Sequence, residues 1–170
     1  MMYRTLLHLC FISLALAAIR VDQKRGFKFC DTPQLAQLVS VEVEGPGCSR
    51  WPCLLFPGRS GAFKITLYNQ NEEAINDLNS DIHGTVRLNG VAGLTGRQKV
   101  GMPGEVKKKA CQFTNPGCPI PPHSYFEITK VVTVPMQARM AHGMMMTEFK
   151  VNDGRGRTLT CFKAPVLLGK

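Results

Sequence analysis

Residues 48–68 read CSRWPCLLFPGRSGAFKITLY. The first part is a short loop between Cys48 and Cys53 that contains a proline, so it folds back easily and brings its two thiols together. The second part alternates apolar and polar side chains, which places Phe63 and Ile65 on one face of a half-buried strand. A closed loop followed by such a strand is typical of a β-domain held together by disulfides, and both features recur along the chain.

Period-two alternation predicts further β-strands. Val39, Val41 and Val43 alternate with polar residues in one of them. The others are predicted over Asp81–Leu88, Tyr125–Val134, Met145–Val151 and Thr158–Leu168. Turns rich in Gly, Pro and Asn separate these segments, and helical periodicity is weak. Short strands at this spacing predict an all-β fold, an antiparallel β-sandwich.

The N-terminus has the features of a secretory signal peptide. Arg4 precedes an apolar run that ends at Ala18, with small residues placed for A-x-A cleavage. We therefore predict a signal peptide at residues 1–18, cleaved near Ala17 or Ala18, followed by one domain over residues 19–170. An N-terminal core helix is the alternative. The run is too short to span a bilayer comfortably and no comparable run follows, so a membrane anchor is not expected.

The chain has 7 cysteines, and Cys10 lies in the predicted signal peptide. The six that remain permit many pairings, and the sequence alone proves none of them. Two Pro-containing loops each favour a short link, which leaves the first and last cysteines for each other. The predicted disulfides are Cys30–Cys161, Cys48–Cys53 and Cys111–Cys118. Zinc is the alternative, but the spacings differ from the usual two-residue knuckle, and an oxidising compartment favours disulfides.

The net charge of +9 biases an exported protein toward anionic surfaces such as lipid head groups or glycans. Lys107, Lys108 and Lys109 form the densest basic run. We predict that they contact an anionic membrane surface, the alternative being an ordinary solvated face. Nucleic acid is not an expected partner, because aromatic residues are not interleaved with the basic ones.

Catalytic motifs are missing from the sequence. It contains no G-x-S-x-G elbow, no H-E-x-x-H motif and no phosphate-binding loop. His83, His123 and His142 are scattered, and each is more typical of a strand or loop residue than of a base or ligand. We expect no enzymatic activity, no catalytic residues, no cofactor and no metal. An extracellular hydrolase using a carboxylate pair is the alternative.

Several short segments occur in the order typical of the ML, or lipid-recognition, superfamily. They are Phe27–Cys30, the Cys48–Cys53 loop, Leu54-Leu55 with Gly58-Arg59-Ser60, Ile82–Gly84, Gly117–Ile120 and Leu159–Val166. The chain resembles this superfamily, which includes soluble Niemann-Pick type C sterol carriers and group 2 mite allergens. The resemblance implies an immunoglobulin-like β-sandwich with an internal apolar cavity, in which the two sheets part to hold one lipid.

The resemblance also implies which residues line the cavity. Leu55, Phe63, Ile65, Phe149 and Phe162 would form the wall, with an ordinary core position as the alternative for each. The predicted lipid-binding set is completed by Val91, Leu94, Val134, Met136 and Met140.

The predicted mouth of the cavity departs from the sterol carriers. Where they have a Pro- and Phe-rich loop, residues 90–99 are longer and carry no aromatic side chain. On the other side of the mouth, methionines concentrate between Met136 and Met146. Flexible, polarisable Met adapts to ligands of different shape. A short amphipathic turn is the alternative for Met136 and Met140.

Together these features predict a secreted, monomeric lipid-binding or transport protein. Its ligand would be a sterol, a fatty acid or a similar apolar molecule, and it would act outside the cell or in the endosome or lysosome lumen. An innate-immune lipid sensor or a chemosensory carrier would use the same cavity.

Overall fold

The computed structural model describes residues 18–21, 26–91, 94–141 and 143–169. The predicted signal peptide lies outside the described residues except for Ala18, so it stays a prediction. Within the described residues the chain forms twelve β-strands, two 3₁₀ turns and no α-helix. In the part of the chain that the structure describes, no helical segment is both long enough and apolar enough to cross a bilayer.

Strand bounds follow the alternating segments of the sequence. The strands are β1 (Ala18–Val21), β2 (Lys28–Phe29), β3 (Ala36–Glu44), β4 (Leu54–Leu55), β5 (Ser60–Asn69), β6 (Leu78–Val91), β7 (Leu94–Gly101), β8 (Lys108–Lys109), β9 (Thr114–Asn115), β10 (Tyr125–Thr133), β11 (Gly143–Asp153) and β12 (Thr158–Leu168). The 3₁₀ turns are Cys111–Phe113 and Met136–Met140. Every predicted strand is present, most of them a few residues longer than predicted.

The first sheet has five strands in the order β1-β3-β5-β10-β9, and its neighbours are antiparallel. Strand β10 pairs with β5 along its whole length, with Tyr125 opposite Tyr68 and Thr133 opposite Ser60. Because side chains alternate between the two faces of a strand, one face of this pair is apolar and buried and the other is polar. The buried face is directed at the second sheet.

The second sheet contains seven strands. Its main path runs β2-β12-β11-β6-β7, with β4 added beside β12 and β8 added beside β6. The β4–β12 pair is parallel and the other pairs are antiparallel. The two sheets pack face to face with their apolar faces inward, which is the architecture of a β-sandwich. The predicted all-β antiparallel sandwich is confirmed.

Three disulfides connect the strands and loops with the predicted pairing. The Cα atoms lie 5.4 Å apart in Cys30–Cys161, 4.4 Å in Cys48–Cys53 and 5.4 Å in Cys111–Cys118. The first of these joins the end of β2 to β12, where the amide of Cys30 donates a 3.0 Å hydrogen bond to the carbonyl of Cys161. It therefore fixes the chain where it leaves the second sheet to begin β3 in the first.

Candidate lipid-binding site

Four phenylalanine rings fill the space between the two sheets at one level of the sandwich. The ring of Phe63 on β5 lies 4.6 Å from that of Phe149 on β11, measured between centroids. Phe149 stacks on Phe162 of β12 at 5.4 Å, and Phe162 meets Phe27 at 5.8 Å. These four residues are the phenylalanine cluster. Because Phe63 belongs to the first sheet and the others to the second sheet or its margin, the cluster joins the two layers.

Six of the predicted lipid-binding residues lie in the interior of the sandwich. Each has 7% or less of its surface exposed, a set made up of Leu55, Phe63, Ile65, Val134, Phe149 and Phe162. The wall prediction and an ordinary core position both require such burial, so pocket lining stays a prediction for them. The side chains of Val91, Leu94 and Met140 lie outside the described part of the structure.

The methionines of the predicted mouth divide into two groups. Met136 begins the 3₁₀ turn Met136–Met140 and is 48% exposed, and Met144 at the start of β11 is 62% exposed. Met145 points the other way and is buried. It occupies the space above Gly84, where an added Cβ would lie 2.8 Å from the Met145 sulfur. Exposed methionines thus mark one end of the sandwich, and a buried one packs beneath them.

The basic run lies near the opposite end of the second sheet. Lys108 is opposite Ser80 on β6, and Ser80 is opposite Val151 on β11. Val151 and Met144 are seven residues apart on that strand, which corresponds to about 23 Å. The predicted membrane-contact residues and the exposed methionines are therefore well separated, and the membrane role of the lysines stays a prediction.

The three lysines of the run also have different surroundings. Lys107 is exposed, and its amide donates a 2.7 Å hydrogen bond to a carboxylate oxygen of Asp81. Lys109 forms an ion pair with Asp77. Lys108 is partly buried, with 34% of its side chain exposed, and its Nζ lies 2.6 Å from Oε1 of Glu105. The acidic partners reduce the positive charge that this surface presents.

A buried charge cluster stands between the sheets, and the sequence analysis missed it. Lys130 of β10 is 2% exposed, and its Nζ lies 2.6 Å from Oε2 of Glu105, which follows β7. The same ammonium lies 4.4 Å from the centroid of the Phe113 ring, a cation–π contact. We call Lys130, Glu105, Lys108 and Phe113 the Lys130 cluster. The alternation of apolar and polar residues in β10 could have predicted this position. Lys130 shares the apolar face of the strand with Phe126, Ile128 and Val132.

In the Lys130 cluster, burial and charge pairing have opposite effects on the pKa values of the charged groups. Burial raises the pKa of Glu105, but Lys108 and Lys130 outweigh it and hold that pKa below its ordinary value. Burial lowers the pKa of Lys130; Glu105 raises it without restoring it, and Lys108 lowers it further. Desolvation therefore penalises the lysine more than its single carboxylate partner compensates.

No group of three or more His, Cys, Asp or Glu side chains suited to a metal ion occurs among the described residues. The candidate site is thus an aromatic interior flanked by one buried charge cluster.

The sequence model of the ML-domain family matches residues 25–168. The chain belongs to the ML-domain family. Members of this family bind lipids, so the protein contains a lipid-binding domain.

Several solved structures are similar to this ML domain at low sequence identity. A Niemann-Pick type C2 protein from Japanese carpenter ant is 10% identical, with a TM-score of 0.62 over 84% of this chain and 98% of that one. The C-terminal domain of wzt is 9% identical, with a TM-score of 0.48 over 90% of this chain and 78% of that one. A β-glucosidase from Listeria innocua is 12% identical, with a TM-score of 0.41 over 85% of this chain and 16% of that one.

At 10% identity the Niemann-Pick type C2 structure shows a shared fold alone. The two similarities with lower TM-scores carry no argument. The comparison with curated protein sequences found no match. The lipid-binding assignment of the ML domain therefore rests on the family match, and its ligand has to be argued from the residues of this chain.

Proposed function

We propose that this ML domain binds one apolar lipid between its two sheets and carries it, as a secreted monomer, without chemical turnover. The observation that carries the proposal is the phenylalanine cluster, in which rings from both sheets meet at 4.6–5.8 Å. The ligand is a sterol, a fatty acid or a similar apolar molecule.

The contacts within the phenylalanine cluster can be exchanged for contacts with a lipid. The rings interact by dispersion and apolar burial, without the directional demands of hydrogen bonds. If the sheets part at this level, a hydrocarbon ligand replaces the ring-to-ring contacts with ring-to-ligand contacts. Burying about 400 Å² of lipid at about 25 cal/mol per Å² gives about 10 kcal/mol before the costs of association.

Secretion is supported by cysteine chemistry. Three disulfides in one small domain are typical of an oxidising compartment. The predicted signal peptide at residues 1–18 points to the same route.

The proposal is tested by Phe149→Asp, which puts a carboxylate among apolar rings where an ionised group is heavily penalised. We expect the variant to lose affinity for cis-parinaric acid and for dehydroergosterol at least tenfold, or about 1.4 kcal/mol. Val131→Asp is the matched control, because Val131 is 63% exposed on the outer face of β10. It should bind both probes as the parent does.

Phe149→Leu addresses the risk that the charged variant fails to fold. It keeps the site apolar while removing one ring from the cluster, so we expect a folded protein with altered affinity. If Phe149→Asp and Phe149→Leu both fold and both bind with parental affinity, the ligand does not lie at the phenylalanine cluster. Native mass spectrometry of the protein secreted from eukaryotic cells would then identify what it does carry.

A further inference from the structure

One lysine interrupts the apolar inner face of the first sheet. Lys130 lies between the buried side chains of Ile128 and Val132 on β10. It is directly opposite Phe63 on β5, and side chains opposite each other in an antiparallel pair have Cβ atoms about 5 Å apart. Phe63 in turn contacts Phe149 across the sandwich. The backbone of Lys130 therefore lies beside the phenylalanine cluster, and its ammonium lies at Glu105 and Phe113.

The Lys130 cluster contains more positive than negative charge. Glu105 is held between two ammonium groups, with Lys130 2.6 Å from Oε2 and Lys108 2.6 Å from Oε1. The nearby carboxylates of the basic run are engaged elsewhere, Asp77 with Lys109 and Asp81 with the amide of Lys107. One carboxylate thus faces two cations, one of them almost fully buried. A second anion would balance the charge.

The ammonium of Lys130 also has unused hydrogen-bonding capacity. An ammonium carries three N–H donors. Nζ of Lys130 lies 2.6 Å from Oε2 of Glu105, and neither atom has another hydrogen-bond partner among the described residues, so Glu105 engages at most one of the three donors. The ring of Phe113 covers the ammonium without accepting a conventional hydrogen bond. Buried donors in folded proteins ordinarily have partners.

We propose that Lys130 binds the carboxylate of a fatty acid whose hydrocarbon chain lies within the phenylalanine cluster. This deepens the proposed function and rests on it, because the chain of the ligand has to enter between the sheets. The carboxylate supplies a second negative charge. Its oxygens accept hydrogen bonds from the N–H donors of Lys130 that Glu105 does not engage. A sterol hydroxyl or an ester supplies no charge, so the site discriminates between lipids by head group.

The test compares cis-parinaric acid with its methyl ester, two fluorescent probes that share one hydrocarbon chain. The parent protein should bind the acid at least about tenfold more tightly, as expected for a charge-assisted hydrogen bond in a buried site. Lys130→Met combined with Glu105→Gln removes both charges, so that neither is left buried alone. This double variant should bind the acid and the ester equally, with the affinity for the ester close to that of the parent.

Two further variants separate head-group recognition from general effects. Lys64→Met with Glu127→Gln removes another Lys–Glu pair, which lies at 3.0 Å on the outer face of β5 and β10. This matched control should keep the preference for the acid. Lys130→Arg keeps the charge and should keep at least part of the preference.

The outcomes distinguish this inference from the proposed function. If the parent binds the acid and the ester equally, or if the Lys130→Met/Glu105→Gln variant keeps the preference, Lys130 is not the head-group anchor, although the domain still binds lipid. If the parent binds neither these probes nor dehydroergosterol, both proposals are wrong. The preference of the parent is measured without any substitution, so a variant that fails to fold does not prevent the test.

Discussion

Removing the Cys30–Cys161 disulfide should cost this domain more stability than removing either short one. The link closes a loop with a sequence separation of 131 residues, whereas Cys111–Cys118 closes one of 7. In the chain-entropy account, a disulfide stabilises by restricting the unfolded chain, with an effect that grows with the logarithm of loop length. That relation gives about 5 kcal/mol for the long loop and about 2 kcal/mol for the short one.

The native contacts around Cys161 explain why the effect should arise in the unfolded chain. The carbonyl of Cys161 accepts hydrogen bonds from the amide of Cys30 at 3.0 Å and from the side chain of Gln34 at 3.2 Å. The side-chain oxygen of Gln34 accepts a 2.9 Å hydrogen bond from the hydroxyl of Thr160. None of these contacts needs the sulfur atoms, so serine at both cysteine positions should leave the folded arrangement in place.

The measurement is urea unfolding of Cys30→Ser/Cys161→Ser and of Cys111→Ser/Cys118→Ser, each compared with the parent. We expect the first double variant to lose about 3 kcal/mol more than the second. A loss of this size is a large part of the total stability of a small domain. A long-loop variant that loses no more than the short-loop variant would refute the reasoning, since both changes remove one disulfide and differ chiefly in the loop released.

Two further predictions concern charged side chains. Replacing Lys107 and Lys109 with serine, while keeping Lys108 for its pairing with Glu105, should leave probe binding in solution unchanged. The same variant should transfer lipid more slowly to anionic vesicles, and the difference from the parent should shrink as the salt concentration rises. Equal transfer rates for variant and parent at low salt would contradict this prediction. Burial raises the pKa of Asp153, but Arg157 and neighbouring amides outweigh burial and hold the pKa below its ordinary value. The ionised Asp153 carboxylate therefore stabilises the folded protein above about pH 4, and this stabilisation is lost as the pH falls through the lowered pKa. Asp153→Asn should therefore lose about 2 kcal/mol at pH 7 and show a flatter fall in urea stability below pH 4, whereas a parental pH slope would exclude this role.

The strands that the sequence predicted share one physical property. In β5, β10 and β11, in the second half of β3 and in the second half of β12, buried residues alternate with more exposed ones, and that asymmetry produces the alternation read from the sequence. Strand β7 lies at the edge of the second sheet, and its sequence LTGRQKVG has no apolar face. Edge strands commonly carry charged side chains. Its position therefore depends on pairing with β6, which local pattern does not reveal.

The candidate site was predicted only in part, for a related reason. Alternation places Phe63 and Phe149 inside the sandwich, but an inward side chain has the same pattern whether it lines a pocket or fills a core. Glu105 has no periodic neighbours that could reveal its position. It reaches the interior because its carbonyl accepts a 3.0 Å hydrogen bond from the amide of Ile82, which extends the edge of the second sheet past β7. Its partnership with Lys130 is set by this tertiary pairing.

Stability alone does not account for a lysine at this place in the core. Replacing a buried ion pair with well-packed apolar residues is often neutral or stabilising, because desolvation of two charges offsets their attraction. In the Lys130 cluster the imbalance is larger, since two ammonium groups share one carboxylate. A second negative charge supplied by a ligand converts this unfavourable arrangement into a specific one. The same desolvation that weakens the cluster by itself strengthens its attraction for a carboxylate, while a neutral lipid receives only the apolar contacts of the rings.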